Sequence, residues 1–320
     1  MASFVVVIAG ALSAGGAALV IVQGGPRRGV RVWRVALAAR VVRHEGRGGQ
    51  RSSVHPVSGA GPDEIQIYDD APIRVVTINR PARRNAVDSI SAARLLEAFE
   101  EFDASPVLHV AVLTGAGGAF CAGADLKALA AGDRRPIDDD GPGPMGPTRL
   151  RSSKPVIAAI EGHAVAGGLE LALWCDLRVA AADATLGVYC RRFGVPLVDL
   201  GTINLPRLIG HSRAMDLILT GRGVDAAEAE RIGLVNRVCP PGEALATAMA
   251  LARELAALPQ HCMRNDRRSA IEQWDLDIGD AVRNEARLGR DTVASGETLA
   301  GAGRFASGAG RGGAAVTVDS

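Results

Sequence analysis

One glutamate stands beside a pair of glycines where a strand is predicted to turn into a helix. Residues 161–176 read EGHAVAGGLELALWCD, and the apolar run at 156–160 before them is typical of a buried strand. Glycines let a ligand approach the backbone, and the first amides of a helix lack internal partners and lie at the positive end of its dipole. Such a turn suits an oxygen that becomes negative during a reaction, with the Glu170 carboxylate as an acid–base group. Taken alone, the segment is equally typical of a structural corner whose glutamate only complements the dipole.

Two further segments have the same character. Residues 110–114 are predicted to form a buried strand, and GAGGAFCAGADLK after them is a small-residue loop that enters a helix. Upstream, residues 75–86 read VVTINRPARRNA, a strand that ends in an Arg-Pro turn. Each motif alone is common, but three in this order and spacing form a specific pattern.

At these three places the chain resembles the crotonase superfamily, the enoyl-CoA hydratase and isomerase fold, from about residue 65 to about residue 311. The resemblance implies an α/β fold, a crotonase-like spiral of ββα units with a C-terminal helical module that builds a homotrimer or a dimer of trimers. It also implies an acyl-CoA thioester as substrate and no separate cofactor. The amides of Ala124 and Gly167 would form the oxyanion hole, and Glu170 would be the principal catalytic acid–base residue.

The sequence departs from the family at the second catalytic glutamate. Hydratases of this family use two glutamates, and the alignment of residues 184–190 puts Cys190 at the second position. A thiol with a reference pKa of about 8.5 is a poor substitute for a carboxyl group, and Cys190 is predicted to be a small buried residue. The nearest compensating group is Asp199, close to where several family isomerases carry an acidic residue. A catalytic Asp199 and a turn or cap residue before Gly201 remain equal alternatives.

Coenzyme A recognition is implied by the same resemblance. Family members hold the adenine against backbone near the Arg-Pro loop and the Ala-Gly-Ala-Asp loop. Lys127, Arg83 and Arg84 are candidate phosphate contacts because phosphate prefers cationic donors. The predicted coenzyme A site contains Ala82, Arg83, Arg84, Ala122, Asp125, Leu126 and Lys127.

Composition excludes several other classes of function. A formal charge of +1 over 320 residues offers no global field for nucleic acid, and no metal-ligand spacing is present. The cysteines are odd in number and include no C-x-x-C pair, which predicts a reducing compartment and a cytoplasmic protein rather than a disulfide framework. They are Cys121, Cys175, Cys190, Cys239 and Cys262.

Three parts of the chain differ in composition. Residues 1–62 are predicted to be a disordered or artefactual extension, although the apolar run at 4–22 keeps membrane contact open as an alternative. Residues 63–240 alternate strands and helices, which predicts an α/β core. Residues 241–320 are predicted to be a helical module with a Gly/Ala-rich tail after residue 301.

The predicted elements position the three motifs. Strands are expected at 65–68, 73–78, 110–113, 177–182 and 185–188, and helices at 89–102, 125–131, 213–220, 226–232, 243–258 and 266–288. Residues 132–147 form a long loop rich in helix breakers, and loops of that length often lie over a site. In the resembling family this region borders the acyl pocket.

The leading hypothesis is therefore an enoyl-CoA hydratase, a lyase of fatty acid metabolism that adds water across a trans-2-enoyl-CoA double bond. A second hypothesis is isomerisation or thioester hydrolysis on the same scaffold, assisted by Asp199. A third is a membrane-tethered acyl-CoA-binding protein with weak catalysis, based on the apolar run at 4–22 and the missing glutamate.

Overall fold

A computed structural model describes residues 64–311 of the chain. The predicted extension at 1–62, with its apolar run at 4–22, lies outside the described residues. Between residues 64 and 311, no helix is both long enough and apolar enough to cross a membrane.

The main sheet has six strands, all parallel except the first. They are β1 (Ile65–Asp70), β2 (Ile73–Ile78), β3 (Val110–Gly115), β4 (Val156–Ile160), β6 (Leu177–Ala181) and β9 (Arg237–Cys239). Their order is β1-β2-β3-β4-β6-β9, with β1 antiparallel to β2. β4 is buried along its whole length and β3 in all but its last residue. Burial on both faces explains why these strands are continuous apolar runs rather than alternating ones.

A second sheet of three short strands supports the loops of the site. It contains β5 (His163–Val165), β7 (Thr185–Gly187) and β8 (Gly223–Asp225), in the order β5-β7-β8. β5 is parallel to β7, and β8 is antiparallel to β7. Because β5 begins only two residues after β4 ends, the chain passes from the main sheet through this second sheet before the next helix begins.

Ten helices complete the described fold. They are α1 (Ser89–Ala104), α2 (Leu126–Ala130), α3 (Gly167–Trp174), α4 (Gly201–Ile209), α5 (His211–Thr220), α6 (Ala226–Arg231), α7 (Ala244–Ala256), α8 (Gln260–Glu272), α9 (Ile278–Ala294) and α10 (Glu297–Ser307). Short 3₁₀ turns lie at Pro81–Arg83, Pro147–Arg149, Tyr189–Phe193 and Gln273–Asp275. Through Ala248 and Leu251, α7 covers one face of the main sheet. The larger core, which includes Phe99, Leu113 and Leu169, fills the opposite face.

The structure confirms the predicted α/β class and its ββα units. Two strands precede a helix three times, in β1-β2-α1, β4-β5-α3 and β6-β7-α4. The prediction of one helix over 266–288 is wrong, because Asp277 caps a new helix by accepting a hydrogen bond from Asp280 N. Helix α10 continues to Ser307, into the Gly/Ala-rich tail predicted after residue 301. Helix α4, which contains Pro206, was not predicted.

Candidate active site

A cavity of about 430 Å³ brings the central predicted residues together. Ala124, Gly167, Glu170, Cys190 and Asp199 all line it, although they come from widely separated parts of the chain. The remaining lining is largely apolar and comes from α2, the loop at 132–147 and the segment at 189–198. A larger cleft of about 930 Å³, beside α4 and α8, contains neither Glu170 nor Asp199.

The loop before α2 holds the Ala124 amide at the cavity. Val87 pairs with the residues on either side of Ala124: Val87 N donates to Gly123 O and Asp125 N donates to Val87 O, both at 2.8 Å. Within residues 64–311, Ala124 N donates to no protein acceptor. Gly123 has a φ of +93°, which a side chain would strain. The loop therefore keeps one backbone donor unpaired beside the cavity.

The start of α3 supplies the second backbone donor. Gly167 is the first residue of this helix, so its amide has no intrahelical partner, and no other described residue accepts from it. A Cβ on Gly168 would lie 2.1 Å from Cys121 O, so only glycine permits this helix to approach the neighbouring loop. A Cβ on Gly123 would lie 2.8 Å from Gly167 N. The two segments that carry the unpaired amides are therefore in direct contact.

Glu170 stands in the first turn of α3 and is 2 % exposed. Its Oε1 accepts hydrogen bonds from Asp199 N and Gly201 N, both at 2.9 Å. Its Oε2 accepts none from residues 64–311. Burial, and then the nearby Asp199 carboxylate, raise the pKa of Glu170 to about 8, although the two amides oppose that rise. The carboxyl is thus fixed in position and able to gain or lose a proton near neutral pH.

Asp199 is 3 % exposed and lines the same cavity. Its Oδ1 accepts hydrogen bonds from Met145 N at 2.9 Å and from Thr148 Oγ1. Burial raises the pKa of Asp199, while these hydrogen bonds oppose the rise. Asp199 is thus more than a surface turn residue: its backbone holds Glu170 and its side chain fastens the end of the loop at 132–147.

Cys190 is 5 % exposed and lies in the 3₁₀ turn beside the cavity. Burial, followed by the neighbouring Glu170, raises the pKa of its thiol. The group is therefore a protonated thiol at neutral pH, which agrees with its interpretation as a small buried residue rather than a nucleophile.

The predicted coenzyme A residues lie on two loops in contact. Ala122 N donates to Arg84 O at 3.0 Å, and Arg83 Nη1 lies 3.1 Å from Asp125 Oδ2. Ala122 and Leu126 also line the cavity, whereas Ala82 and Lys127 are exposed outside it.

Asp125 is fully engaged within the protein. Its carboxylate caps α2 by accepting from Lys127 N and Ala128 N, and it also pairs with Arg80. Despite its burial, these hydrogen bonds and the two arginines hold the pKa of Asp125 below its usual range. Its side chain therefore organises the loop and has no free position for a ligand.

Three residues of the site were not predicted from sequence. Arg135, Met145 and Thr148 come from the loop at 132–147 and the 3₁₀ turn that follows it. The expectation that this loop borders the cavity is correct, but a loop without periodicity gives no indication of which side chains face inward. Residues 64–311 contain no group of three or more His, Cys, Asp or Glu side chains that could hold a metal ion.

A ββα fold with two unpaired amides and a buried glutamate at one cavity defines the crotonase class of proteins. The family model described as enoyl-CoA hydratase/isomerase matches residues 69–307, and the chain belongs to this family.

Individual relatives agree with that assignment. The chain is 35% identical to the enoyl-CoA hydratase EchA19 of Mycobacterium tuberculosis over 254 residues, which are 77% of this chain and 94% of the relative. It is 40% identical to a carnitinyl-CoA dehydratase of Salmonella arizonae over 60% of this chain and 74% of that protein. The crystal structure of enoyl-CoA hydratase EchA1 from Mycobacterium marinum superposes with a TM-score of 0.73 at 36% identity, covering 77% of this chain and 96% of that one.

Proposed function

We propose that the protein is a lyase that adds water across the double bond of a trans-2-enoyl-CoA thioester. The observation that carries the proposal is the Glu170 carboxyl, which is buried at the same cavity as the unpaired amides of Ala124 and Gly167. Substrate activation and acid–base chemistry would thus occur at one cavity.

The two amides would activate the substrate. A thioester oxygen that accepts from Ala124 N and Gly167 N is stabilised as it becomes an enolate oxygen, which makes C3 electrophilic. One such donor lowers the activation barrier by about 2.7–4 kcal/mol where this has been measured. The position of Gly167 at the first turn of α3 supports this role, because the helix dipole adds positive potential there.

Glu170 would then move the proton. The water oxygen bonds to C3 while Glu170 Oε2 accepts one water proton, and the C2–C3 π electrons pass to the thioester oxygen. Return of that proton to C2 completes the addition and restores the carboxylate. A base with a pKa near 8 is well matched to this exchange because it gives and takes a proton with little bias at neutral pH.

Asp199 is a second candidate acid–base residue, and it also favours isomerisation as an alternative function. It lines the cavity with Glu170, and Cys190 provides no carboxyl at the position of the second family glutamate. Two carboxyls at one cavity would allow a proton to leave C4 or C2 of the acyl chain at one group and return at another. That transfer moves a double bond without the addition of water.

Coenzyme A would be held where the two loops meet. The contacts between Ala122 and Arg84 and between Arg83 and Asp125 support this placement, because they join the two predicted binding segments beside the cavity. Ala82, Leu126 and Lys127 would complete the site. The proposed reaction requires no cofactor beyond the coenzyme A of the substrate.

The test is the conjugated enoyl-thioester absorbance of crotonyl-CoA, followed for the wild type, Glu170→Gln and Asp199→Asn. Hydration with Glu170 as principal group predicts loss of the band and a rate about 10²–10⁴-fold lower in the Gln variant. A nearly unchanged rate in Asp199→Asn would indicate that Glu170 acts alone. A large fall in rate would indicate that Asp199 is a second acid–base residue. An unchanged band despite bound ester would overturn hydration, and 3-enoyl-CoA would then be assayed for isomerisation.

We also propose a homotrimer or a dimer of trimers, located in the cytoplasm. Large apolar side chains on α9 and α10 are exposed in the single chain, including Ile278 at 82 %, Leu299 at 79 % and Phe305 at 71 %. Large apolar side chains exposed to this extent are typical of protein interfaces. Sedimentation of the purified protein tests the assembly, and a monomer at micromolar concentration would contradict it.

A further inference from the structure

Arg135 places a positive charge in the largely apolar cavity. Its side chain lines the cavity, and no carboxylate oxygen of residues 64–311 lies within 4.0 Å of its guanidinium nitrogens. Nη1 donates to Pro144 O and lies 3.9 Å from Met145 Sδ. Nε and Nη2 donate to no acceptor in the described part of the chain. A guanidinium has five N–H donors, so most of its hydrogen-bonding capacity remains available.

The loop that carries Arg135 is fastened on both sides. Before it, Asp133 Oδ2 accepts from Ser89 N at 2.9 Å at the start of α1. After it, Arg149 donates to Asp138 O at 2.6 Å, and Met145 N is held by Asp199. Arg135 is thus presented to the cavity by a positioned loop, which lowers the entropy cost of using it for binding.

Arg135 lies where the acyl chain of the substrate, rather than coenzyme A, would bind. Met145 Sδ, which Arg135 contacts, would lie 2.7 Å from a Cβ placed on Gly167. Arg135 is therefore close to the proposed site of the thioester oxygen. The predicted phosphate contacts, Arg83 and Lys127, lie outside the cavity lining. A group that meets Arg135 would be a few bonds from the reacting carbons.

Asp199 does not neutralise Arg135 by direct pairing. The Asp199 carboxylate already accepts from Met145 N and Thr148 Oγ1. The charges of Asp199, Asp133 and Asp88 influence Arg135 through space, but none of these carboxylates lies within ion-pair distance. Because an arginine remains protonated even when burial lowers its pKa, a cation without a partner stays in the acyl pocket.

We infer that the preferred substrate carries a carboxylate on its acyl chain, which binds Arg135 through charge-assisted hydrogen bonds. The inference rests on the proposed function, since it assigns the acyl end of that thioester. The apolar remainder of the lining, including Ile137, Val195 and Val198, would contact the methylene groups between the thioester and the carboxylate.

The experiment compares unreactive saturated esters by isothermal titration, so that binding is measured apart from turnover. Glutaryl-CoA and adipyl-CoA are paired with pentanoyl-CoA and hexanoyl-CoA, which have the same backbone lengths and no carboxylate. For at least one of the two backbone lengths, the wild type is expected to bind the carboxylate-terminated ester more tightly than the methyl-terminated ester. Arg135→Leu should weaken that ester about 10–100-fold and leave the methyl-terminated ester within about threefold.

Two further variants complete the design. Arg134→Leu is the matched control, because Arg134 is an exposed neighbour on the same loop outside the cavity lining, and it should change neither affinity. Arg135→Lys should recover part of the preference, and unchanged binding of the methyl-terminated esters shows that each variant is folded. Equal weakening of both esters in Arg135→Leu, or no preference at either length in the wild type, would overturn the inference. A clear preference without hydration of any enoyl ester would instead overturn the proposed function alone.

Discussion

The folded protein should become less stable as the pH rises, because folding raises the pKa of the buried Glu170 carboxyl. In the unfolded chain this carboxyl has a pKa of about 4.5, whereas burial and Asp199 raise it to about 8 in the folded protein. Between these values the folded state keeps a proton that the unfolded state has lost. The stability is therefore fully present below pH 4.5 and is lost as the pH rises to about 8, after which this group causes no further change.

The size of the effect follows from the two pKa values of Glu170. Each pH unit between them costs about 1.4 kcal/mol, so the free energy of unfolding should fall by about 4 kcal/mol from pH 5 to pH 9 through this group. Glu170→Gln removes the titration while its amide oxygen can still accept from Asp199 N and Gly201 N. The variant should therefore be more stable than the wild type at pH 9, although it is catalytically impaired.

Urea unfolding of both proteins at half-unit steps of pH measures the difference. Other titrating groups contribute to both curves and largely cancel when one is subtracted from the other. A difference in stability between the two proteins that stays constant from pH 5 to pH 9 would contradict this prediction, because it would mean that Glu170 is ionised throughout.

Three substitutions test other parts of the site. Gly201→Ala places a Cβ 2.7 Å from Glu170 Oε1, so kcat for crotonyl-CoA should fall about 100-fold with KM nearly unchanged. Cys190→Glu supplies a second carboxyl at the cavity, and kcat for hydration should rise about tenfold or more. Arg80→Met removes a buried cation that pairs with Asp88, Asp125 and Glu64, and urea unfolding should show a loss of about 3–5 kcal/mol.

Each substitution has a matched control. Gly289→Ala makes the same change at an exposed position of α9 with open space, and kcat should not move. Cys190→Gln adds the size of glutamate without its charge, so an equal gain there would contradict an acid–base explanation. Arg83→Met removes a half-exposed arginine that pairs, among residues 64–311, with Asp125 alone, and it should cost less than about 1 kcal/mol of stability. A larger loss of stability in Arg83→Met than in Arg80→Met would contradict the assignment of Arg80 as the centre of the buried ion-pair network.

The predictable part of the site is local in sequence. Strand β4, the glycine turn and the first turn of α3 follow one another within about twenty residues, so the apolar run and the glycines indicate the position of Glu170. The same holds for β3 and the loop that carries Ala124. These segments could be predicted because their conformations depend on glycine and on neighbouring residues, not on distant contacts.

The unpredicted part depends on contacts between distant residues. Asp199 N and Gly201 N reach Glu170 across about thirty positions, and no periodic pattern encodes that approach. Leu200 between them has a φ of +67°, a conformation that a sequence containing leucine does not indicate. Arg135 lies in a loop whose conformation is set by Asp133, Asp138 and Met145. Its role in the cavity becomes visible only in three dimensions.

The segment at 199–201 joins the acid–base residue to the acyl pocket, which changes how variants of Asp199 are interpreted. Its backbone holds Glu170 Oε1, while its carboxylate holds Met145 N and Thr148 Oγ1 at the end of the Arg135 loop. Asp199→Asn preserves an oxygen at the Oδ1 position, so both attachments can survive and only the proton chemistry changes. Asp199→Ala releases Met145 N and Thr148 Oγ1 together and should alter kcat and KM whether or not Asp199 transfers a proton. A loss of activity seen only in Asp199→Ala therefore reflects the loss of positioning. Only a loss of activity that Asp199→Asn shares identifies a catalytic carboxyl.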